Sequence, residues 1–390
     1  MGGNNIMKSV ILSGPLCVQS GYSVHGRQIA KFLLSKPNLD VKFHLTPWGA
    51  CPWLLSEDAH DGLIGEIMRR SNPPTKADVA IHVKLPNEFT TDLGNVNIGI
   101  SAMVECDRCN PKWVEVCNKM NAIVVPSLHA AASLTNSGTV NVPLHVVNEA
   151  YNGACVKNDL PTLPDFETPF NFLLFGQLTA ADARTDRKNI FNTIKWFCEA
   201  FKGNDDVGLV IKTNLGKNTK IDRANTKKLL EDLLRQVRRA GKPKVTLLHG
   251  DMSDEEVAAL YRHPQIKAMV TLSRGEGWNL PACEAAASGL PIIATNWSAH
   301  TEFLNLGKFV KIDYTLQQIP PQRVDNNIFT PTARWAEASE HDFKSKILKF
   351  HERPEIPTQW ARELQPKIVE KLSLDEIFKS YDAAIGDLLC

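Results

Sequence analysis

Short unbroken apolar runs alternate along the chain with longer stretches in which apolar residues return every three or four positions. An apolar run without helical period fits a strand buried on both faces, and the three-to-four spacing fits a helix with one inward face. The runs predict strands at 9–13, 41–45, 79–83, 96–100 and 123–125, and a second series at 170–175, 208–211, 245–248, 269–272 and 291–294. A helix follows Ser20-Gly21-Tyr22-Ser23, with Ile29 and Leu33, and Ala30 and Leu34, supplying its inward face at i, i+4. In the second half a charged helix covers about 222–240, and amphipathic helices lie near 343–350 and 368–389. A shorter helix opens on a capping box in which Ser253 and Glu256 each satisfy the other's backbone amide. Strands alternating with helices indicate an α/β chain with parallel, doubly wound sheets. Ligands in such sheets bind beyond the carboxyl ends of the strands, which points to the loops after Ser13, Val83, Ile100 and Val125.

Between 159 and 169 three prolines, Pro161, Pro164 and Pro169, interrupt a stretch without periodicity, and a hinge is expected there. The expected domains are 1–165 and 170–360, with a closing helix over 361–390. Residues 313–340, rich in Pro, Asn and Gln, suggest a long surface excursion. A length of 390 residues suits about two domains, and 43% hydrophobic residues can fill two cores.

The 44 Lys and Arg balance 43 Asp and Glu, and residues 1–160 hold 13 of each sign, so no net field steers the chain to nucleic acid or an anionic membrane. Nine scattered cysteines suit reduced thiols in a cytosolic protein, and Cys106 and Cys109 form a lone Cys-x-x-Cys without a second pair at zinc spacing. No apolar run approaches the ~20 residues of a membrane helix. Residues 1–7 lack the apolar centre of a signal peptide, and Gly2 opens no myristoylation signal because position 6 is Ile. A cytoplasmic protein without stable membrane insertion is expected.

The richest stretch, from Ala268 to Thr301, runs strand, loop, helix, strand. Gly275 and Gly277 free the backbone for a tight loop, Pro281 suits the first turn of the helix, and Gly289 ends it. The start of that helix is a seat for phosphate, because unpaired amides and the positive dipole end converge there. Glu276 lies on the loop and Glu284 about one turn inside the helix, so both can accept hydroxyl hydrogen bonds from a ligand over the helix start.

The Glu276-x7-Glu284 spacing, set in Gly-Glu-Gly-Trp-Asn-Leu-Pro-Ala-Cys-Glu-Ala-Ala-Ala-Ser-Gly-Leu-Pro, resembles the signature of the GT-B retaining glycosyltransferases, group 1, family four. The resemblance implies a GT-B fold, two Rossmann-like doubly wound domains facing each other across a cleft, with the terminal helix crossing back to the first domain. It implies a donor domain in the second half, an acceptor domain in the first, and transfer of a sugar, in all expectation a hexose, from a nucleoside-diphosphate sugar to a hydroxyl acceptor. The acceptor can be a glycan, a small molecule or a modified DNA base. No Asp-x-Asp occurs in the chain, so metal-independent chemistry with no cofactor is expected.

Residue by residue, the resemblance implies donor contacts from Gly275, Glu276, Gly277, Trp278, Asn279, Leu280 and Glu284, with His249 and Gly250 near the nucleotide base. It places Gly21, within the Gly14 to Gly21 loop, against the nucleotide sugar. Where the family carries Gly-Arg-Leu this chain has Gly176-Gln177-Leu178, so the cation facing the diphosphate passes to Lys188, helped by Arg187 or Arg184; a solvated basic loop is the alternative. Glu105 and Asp107, in a Glu-x-Asp-Arg stretch, are the acceptor-side candidates, with a cluster of solvated charges as the alternative. His25, His82 and His129 suit structural roles. Two other functions stay open: transfer to hydroxymethylated bases in DNA, and a donor-binding protein that has lost catalysis.

Overall fold

The first strand of the computed structural model, β1 (Lys8–Gly14), lies between two parallel neighbours and buries Val10, Ile11 and Leu12 completely. The structure describes residues 7–103, 105–177, 182–214, 216–238 and 241–390. The opening segment 1–6 with Gly2, together with Val104, Leu178 and Ala240, lies outside the described residues.

After β1 come α1 (Gly21–Leu34), β2 (Leu39–Leu45), α2 (Leu63–Arg69), β3 (Ala77–Val83), β4 (Gly94–Ile100), α3 (Pro111–Cys117), β5 (Ala122–Val125), α4 (Leu128–Thr135) and β6 (Leu144–Val146). Their strands form one parallel sheet in the order β2-β1-β3-β4-β5-β6. The chain winds outward from β1 to β2, then returns across β1 to β3, so the winding reverses between β1 and β3. Ser20 caps α1 by accepting the amide of Ser23 at 3.2 Å. The inward face of α1 includes Ile29, Ala30 and Leu33 as expected, but Phe32 is buried where Leu34 was expected, and Leu34 is half-buried. The cause is the terminal helix: Phe32 packs against Phe378 and Tyr381, with ring centroids 5.5 and 5.4 Å away.

The second series is β7 (Phe170–Phe175), α5 (Ile190–Ala200), β8 (Val207–Thr213), α6 (Lys220–Val237), β9 (Lys244–His249), α7 (Asp254–Tyr261), β10 (Ile266–Thr271), α8 (Leu280–Ala287), β11 (Ile292–Thr295), α9 (His300–Leu304) and β12 (Val310–Ile312). Its sheet is again parallel and six-stranded, ordered β12-β11-β10-β7-β8-β9, with the reversal between β7 and β10. Capping follows the sequence: Ser253 and Glu256 exchange backbone bonds at 2.7 and 3.1 Å at the start of α7.

The stretch 313–340 is no structureless excursion. It holds an antiparallel pair, β13 (Tyr314–Gln318) and β14 (Arg334–Ala338), with Trp335 and Ala336 buried. The helix expected over 368–389 is two helices: α10 (Glu340–Glu352) is followed by α11 (Glu355–Lys371) and α12 (Leu374–Leu389), broken at Leu372 and Ser373.

The chain divides into two units, Met1–Ala150 with Leu374–Cys390, and Tyr151–Ser373. The proline-rich stretch 159–169 goes with the second unit, where Gln265 takes the Phe166 amide at 2.7 Å and returns a bond to its carbonyl at 3.0 Å. Of the closing segment, only Leu374–Cys390 goes with the first unit.

Candidate functional site

In the second unit β7 and β10 are neighbours, so the described parts of the loops that leave their carboxyl ends, 176–177 with 182–189, and 272–279, open side by side where the winding reverses. The end of the first loop, from Asp186, is tied onto the start of α5. A Cβ on Gly176 would stand 2.4 Å from Cδ1 of Ile190, so a larger residue there would push the Ile190 side chain aside. Asp186, 5% exposed, spends its carboxylate on the amides of Lys188 (3.1 Å), Ile190 (2.6 Å) and Phe191 (3.3 Å), which fixes the backbone that carries Arg187 and Lys188.

Arg274 stitches the two loops together. It is 2% exposed and donates to the carbonyls of Ala183 (2.7 Å) and Asp186 (2.6 Å) and to the Glu337 carboxylate on β14 (2.7 Å). Its amide donates to the Arg187 carbonyl and its carbonyl accepts from the Ala336 amide, and its guanidinium lies 5.3 Å from the Trp335 ring centre. Arg274 stands in the motif stretch but was not singled out from sequence; its place next to Gly-Glu-Gly was the available signal.

Glu276 is brought into this frame. Its amide donates to Ser298 Oγ at 3.1 Å, Ser298 contacts His300 Nδ1 at 3.4 Å, and His300 Nε2 meets the Thr295 carbonyl at 2.6 Å. Its carboxylate receives Lys188 Nζ on both oxygens at 2.7 Å and lies 3.5 Å from Arg187 Nη1. Burial pushes the carboxyl upward, but the Lys188 charge, then the Arg187 charge and the hydrogen bonds, outweigh it and hold the pKa at about 2. Arg187 also donates to the Gly275 carbonyl at 2.7 Å. Two cations thus face one carboxylate, and an ammonium with three donors retains one beyond the two given to Glu276.

The remaining basic candidate is placed elsewhere: Arg184 is exposed and pairs with Asp182 at 2.8 Å. Gln177 is exposed and bonds to Asn214 at 3.0 Å.

The helix α8 begins as the sequence implies. Asn279, at φ 79°, accepts the Ala282 amide at 3.3 Å, Leu280 and Pro281 form the first turn, and Gly289 at φ 79° ends the helix. Trp278 is buried beside Phe303, and its indole nitrogen has no hydrogen-bond partner among the described residues. Glu284 meets the Tyr261 hydroxyl at 3.2 Å. Burial first, and then the charge of Asp254, push its carboxyl up to about 8. His249 and Gly250 stand at the carboxyl end of β9, on the same rim of the sheet, and Lys212 Nζ holds the Gly250 carbonyl at 2.6 Å. Burial lowers the pKa of His249, and its Nε2 has no partner among the described residues.

Three candidates lie in the first unit. Gly21 is the first residue of α1, exposed, with nothing within 4 Å of an added Cβ, so no packing inside the chain requires glycine there. Glu105 and Asp107 lie half-buried on the loop after β4. The Asp107 carbonyl accepts from Asn136 at 2.9 Å, and the Tyr22 hydroxyl braces the loop start through Ser101 and Ala102, both at 3.1 Å. The structure therefore gathers Arg187, Lys188, Gly275 and Glu276 directly, whereas Gly21, Glu105 and Asp107 belong to the other unit. Cys106 and Cys109 are buried and form no disulfide, and His25 and His82 bond to Tyr381 (2.7 Å) and Asn97 (3.4 Å).

Residues 182–317 match the family model of Glycosyl transferases group 1. No curated protein matches the chain in sequence. Among solved structures, sucrose-phosphate synthase from Thermosynechococcus elongatus is 13% identical at a TM-score of 0.63, over 98% of this chain and 99% of that one. The pneumococcal O-GlcNAc transferase GtfA, solved with UDP and GlcNAc, is 11% identical at a TM-score of 0.62, over 98% and 99%. TarM is 14% identical at a TM-score of 0.51; 80% of this chain aligns with 54% of TarM, so the chain spans about half its length. At such identities the likeness is one of fold, and the chain has the two-domain GT-B fold.

Proposed function

We propose that the chain is a retaining glycosyltransferase that moves a hexosyl unit from a nucleoside-diphosphate sugar to a hydroxyl acceptor without a metal ion. The observation that carries this reading is the convergence of Lys188, Arg187 and Glu276 where β7 and β10 end, just ahead of α8. The family match over residues 182–317 supports it, as does the fold shared with a transferase solved with UDP and GlcNAc.

In this reading the diphosphate rests on the amides that open α8, with Lys188 and Arg187 beside it. Glu276 accepts from hydroxyls of the transferred sugar and Glu284 from those of the ribose. The bond between the anomeric carbon and the diphosphate oxygen breaks with its electron pair staying on the diphosphate. The acceptor oxygen bonds to the same face of that carbon, and its proton passes to the departing phosphate oxygen. Negative charge grows on the leaving group in this step, and fixed cations in an enclosed site stabilise it most. Glu276, paired with both cations, keeps them in place before the donor arrives. Glu105 and Asp107 serve the acceptor.

A panel of radiolabelled nucleoside-diphosphate sugars, first alone and then with candidate acceptors including hydroxymethylated DNA, tests the reading in excess chelator. Labelled product with the donor's anomeric configuration is expected. Loss of turnover restored by a divalent cation overturns the metal-free reaction, an inverted product overturns retention, and failure of every donor to bind overturns the assignment as a whole.

A further inference from the structure

The second unit carries, apart from the site above, a groove of about 750 Å³ lined by β12, the chain just before it, and helices α10 and α11. Phe309, Val310, Phe350 and Pro357 give it an apolar floor, and Ile356 and Trp360 stand at its edge. Ile356 is 43% exposed. Four cations, Lys311, Lys346, Lys349 and Arg353, line the groove against a single carboxylate, Glu352. Lys308 adds a fifth charge 6.0 Å from the Trp360 ring. Asp342 neutralises Lys346 at 2.7 Å, but Lys349 and Arg353 have no ion-pair partner among the described residues. In a chain of net charge +1 this is a local excess that whole-chain counts hide.

The composition narrows the occupant. A small inorganic anion makes no use of the aromatic floor, and an uncharged apolar molecule leaves the cations without a counter-charge. An added peptide strand meets a closed edge, because Lys346 takes the outward Lys311 carbonyl at 2.6 Å and Asp342 takes the Asp313 amide at 2.8 Å. An acidic headgroup above hydrocarbon satisfies both parts, and Trp, Ile, Lys and Arg together are the side chains that sit at a bilayer interface. We propose that this groove docks the second unit peripherally on an anionic bilayer, with Lys349, Arg353, Lys311 and Lys308 on the headgroups and the accessible apolar rim, Ile356 and Trp360, against the upper acyl chain. No helix of the described residues is long and apolar enough to cross a membrane, so the contact is with the surface.

Flotation of the full chain with vesicles of phosphatidylcholine alone, or of equal parts phosphatidylcholine and phosphatidylglycerol, tests this without any sugar substrate. Binding to the acidic vesicles only, weakening as salt is raised, is expected. The double variant Lys349→Gln, Arg353→Gln should lower partitioning about twenty-five-fold, about fivefold for each charge removed. Trp360→Ala should lower it while leaving the salt dependence in place, and unchanged thermal unfolding shows that the variants are folded. Equal binding to neutral vesicles, binding that the variants do not weaken, or complete displacement by inorganic phosphate or polyglutamate overturns the proposal.

Discussion

Two glutamates eight positions apart end in opposite states. Both are pushed upward by burial, but Glu276 has Lys188 and Arg187 against it and stays ionised, whereas Glu284 has the Asp254 charge and no cation among its causes and rises to about 8. If Lys188 carries the cation that faces the departing diphosphate, Lys188→Ala lowers turnover about a hundredfold, the scale for losing one preorganised electrostatic group, and Arg187→Ala costs less. Turnover within a few-fold of the parent for Lys188→Ala, with Arg184→Ala or Arg187→Ala inactive, assigns the charge to the wrong side chain. Glu284 yields a second test, through stability. Its folded pKa of about 8 exceeds the ordinary 4.5, so the folded chain holds a proton that the unfolded chain has released. That contribution is complete below pH 4.5 and is lost as pH rises through about 8. Glu284→Gln keeps an acceptor for Tyr261 and has no proton to lose, so the variant gains on the parent as pH rises across this window. Denaturant titrations over a pH series read the gap, and a gap that does not change with pH rules out a raised Glu284.

At the scale of elements, the parallel strands were legible because they are buried on both faces, as in the run Phe172, Leu173, Leu174, which is at most 1% exposed. The edge strands β6 and β12 are three residues long and show no pattern that separates them from loops. The hairpin β13 and β14 was hidden for another reason. Leu316 and its neighbours Gln317 and Gln318 face solvent, and the Pro- and Asn-rich link between the strands masks the alternation that ends in buried Trp335. The same physics limits the site. Glu276 and the α8 glycines and proline are contiguous and could be found as a motif, but Arg274 binds backbone carbonyls and a carboxylate 63 residues away, partners that no local spacing encodes. Arg274→Met should cost about 3 kcal/mol, the lower end for opening a buried pair, because Glu337 keeps some contact with water. Turnover should fall as well, since the loop bearing Arg187 and Lys188 loses its brace. Thermal unfolding and initial rates check both; a stable, fully active Arg274→Met would show that Asp186 alone positions the loop.

At the scale of the whole molecule, the two sheets share one plan, yet the chain does not divide into two consecutive halves. Leu374–Cys390 is the last segment in sequence and packs in the unit built from the first 150 residues. Helix α12 supplies that unit with Tyr381, which is fully buried, packs on Phe32 and bonds through its hydroxyl to His25 Nε2 at 2.7 Å. Burial lowers His25 to about 4, and the ring is neutral at ordinary pH with Glu149 3.6 Å from its Nδ1. Tyr381→Phe leaves Nε2 without its partner in an apolar setting, at a cost of about 1–3 kcal/mol, and Tyr381→Ala adds a cavity and raises the loss to about 3–5 kcal/mol. Because those contacts are confined to the first unit, the loss should fall on its melting. UDP, bound by the second unit in the proposed reading, should raise only the other transition by mass action. Scanning calorimetry with and without UDP separates the two. A first-unit transition that Tyr381→Ala does not lower means that α12 is not part of that unit's core.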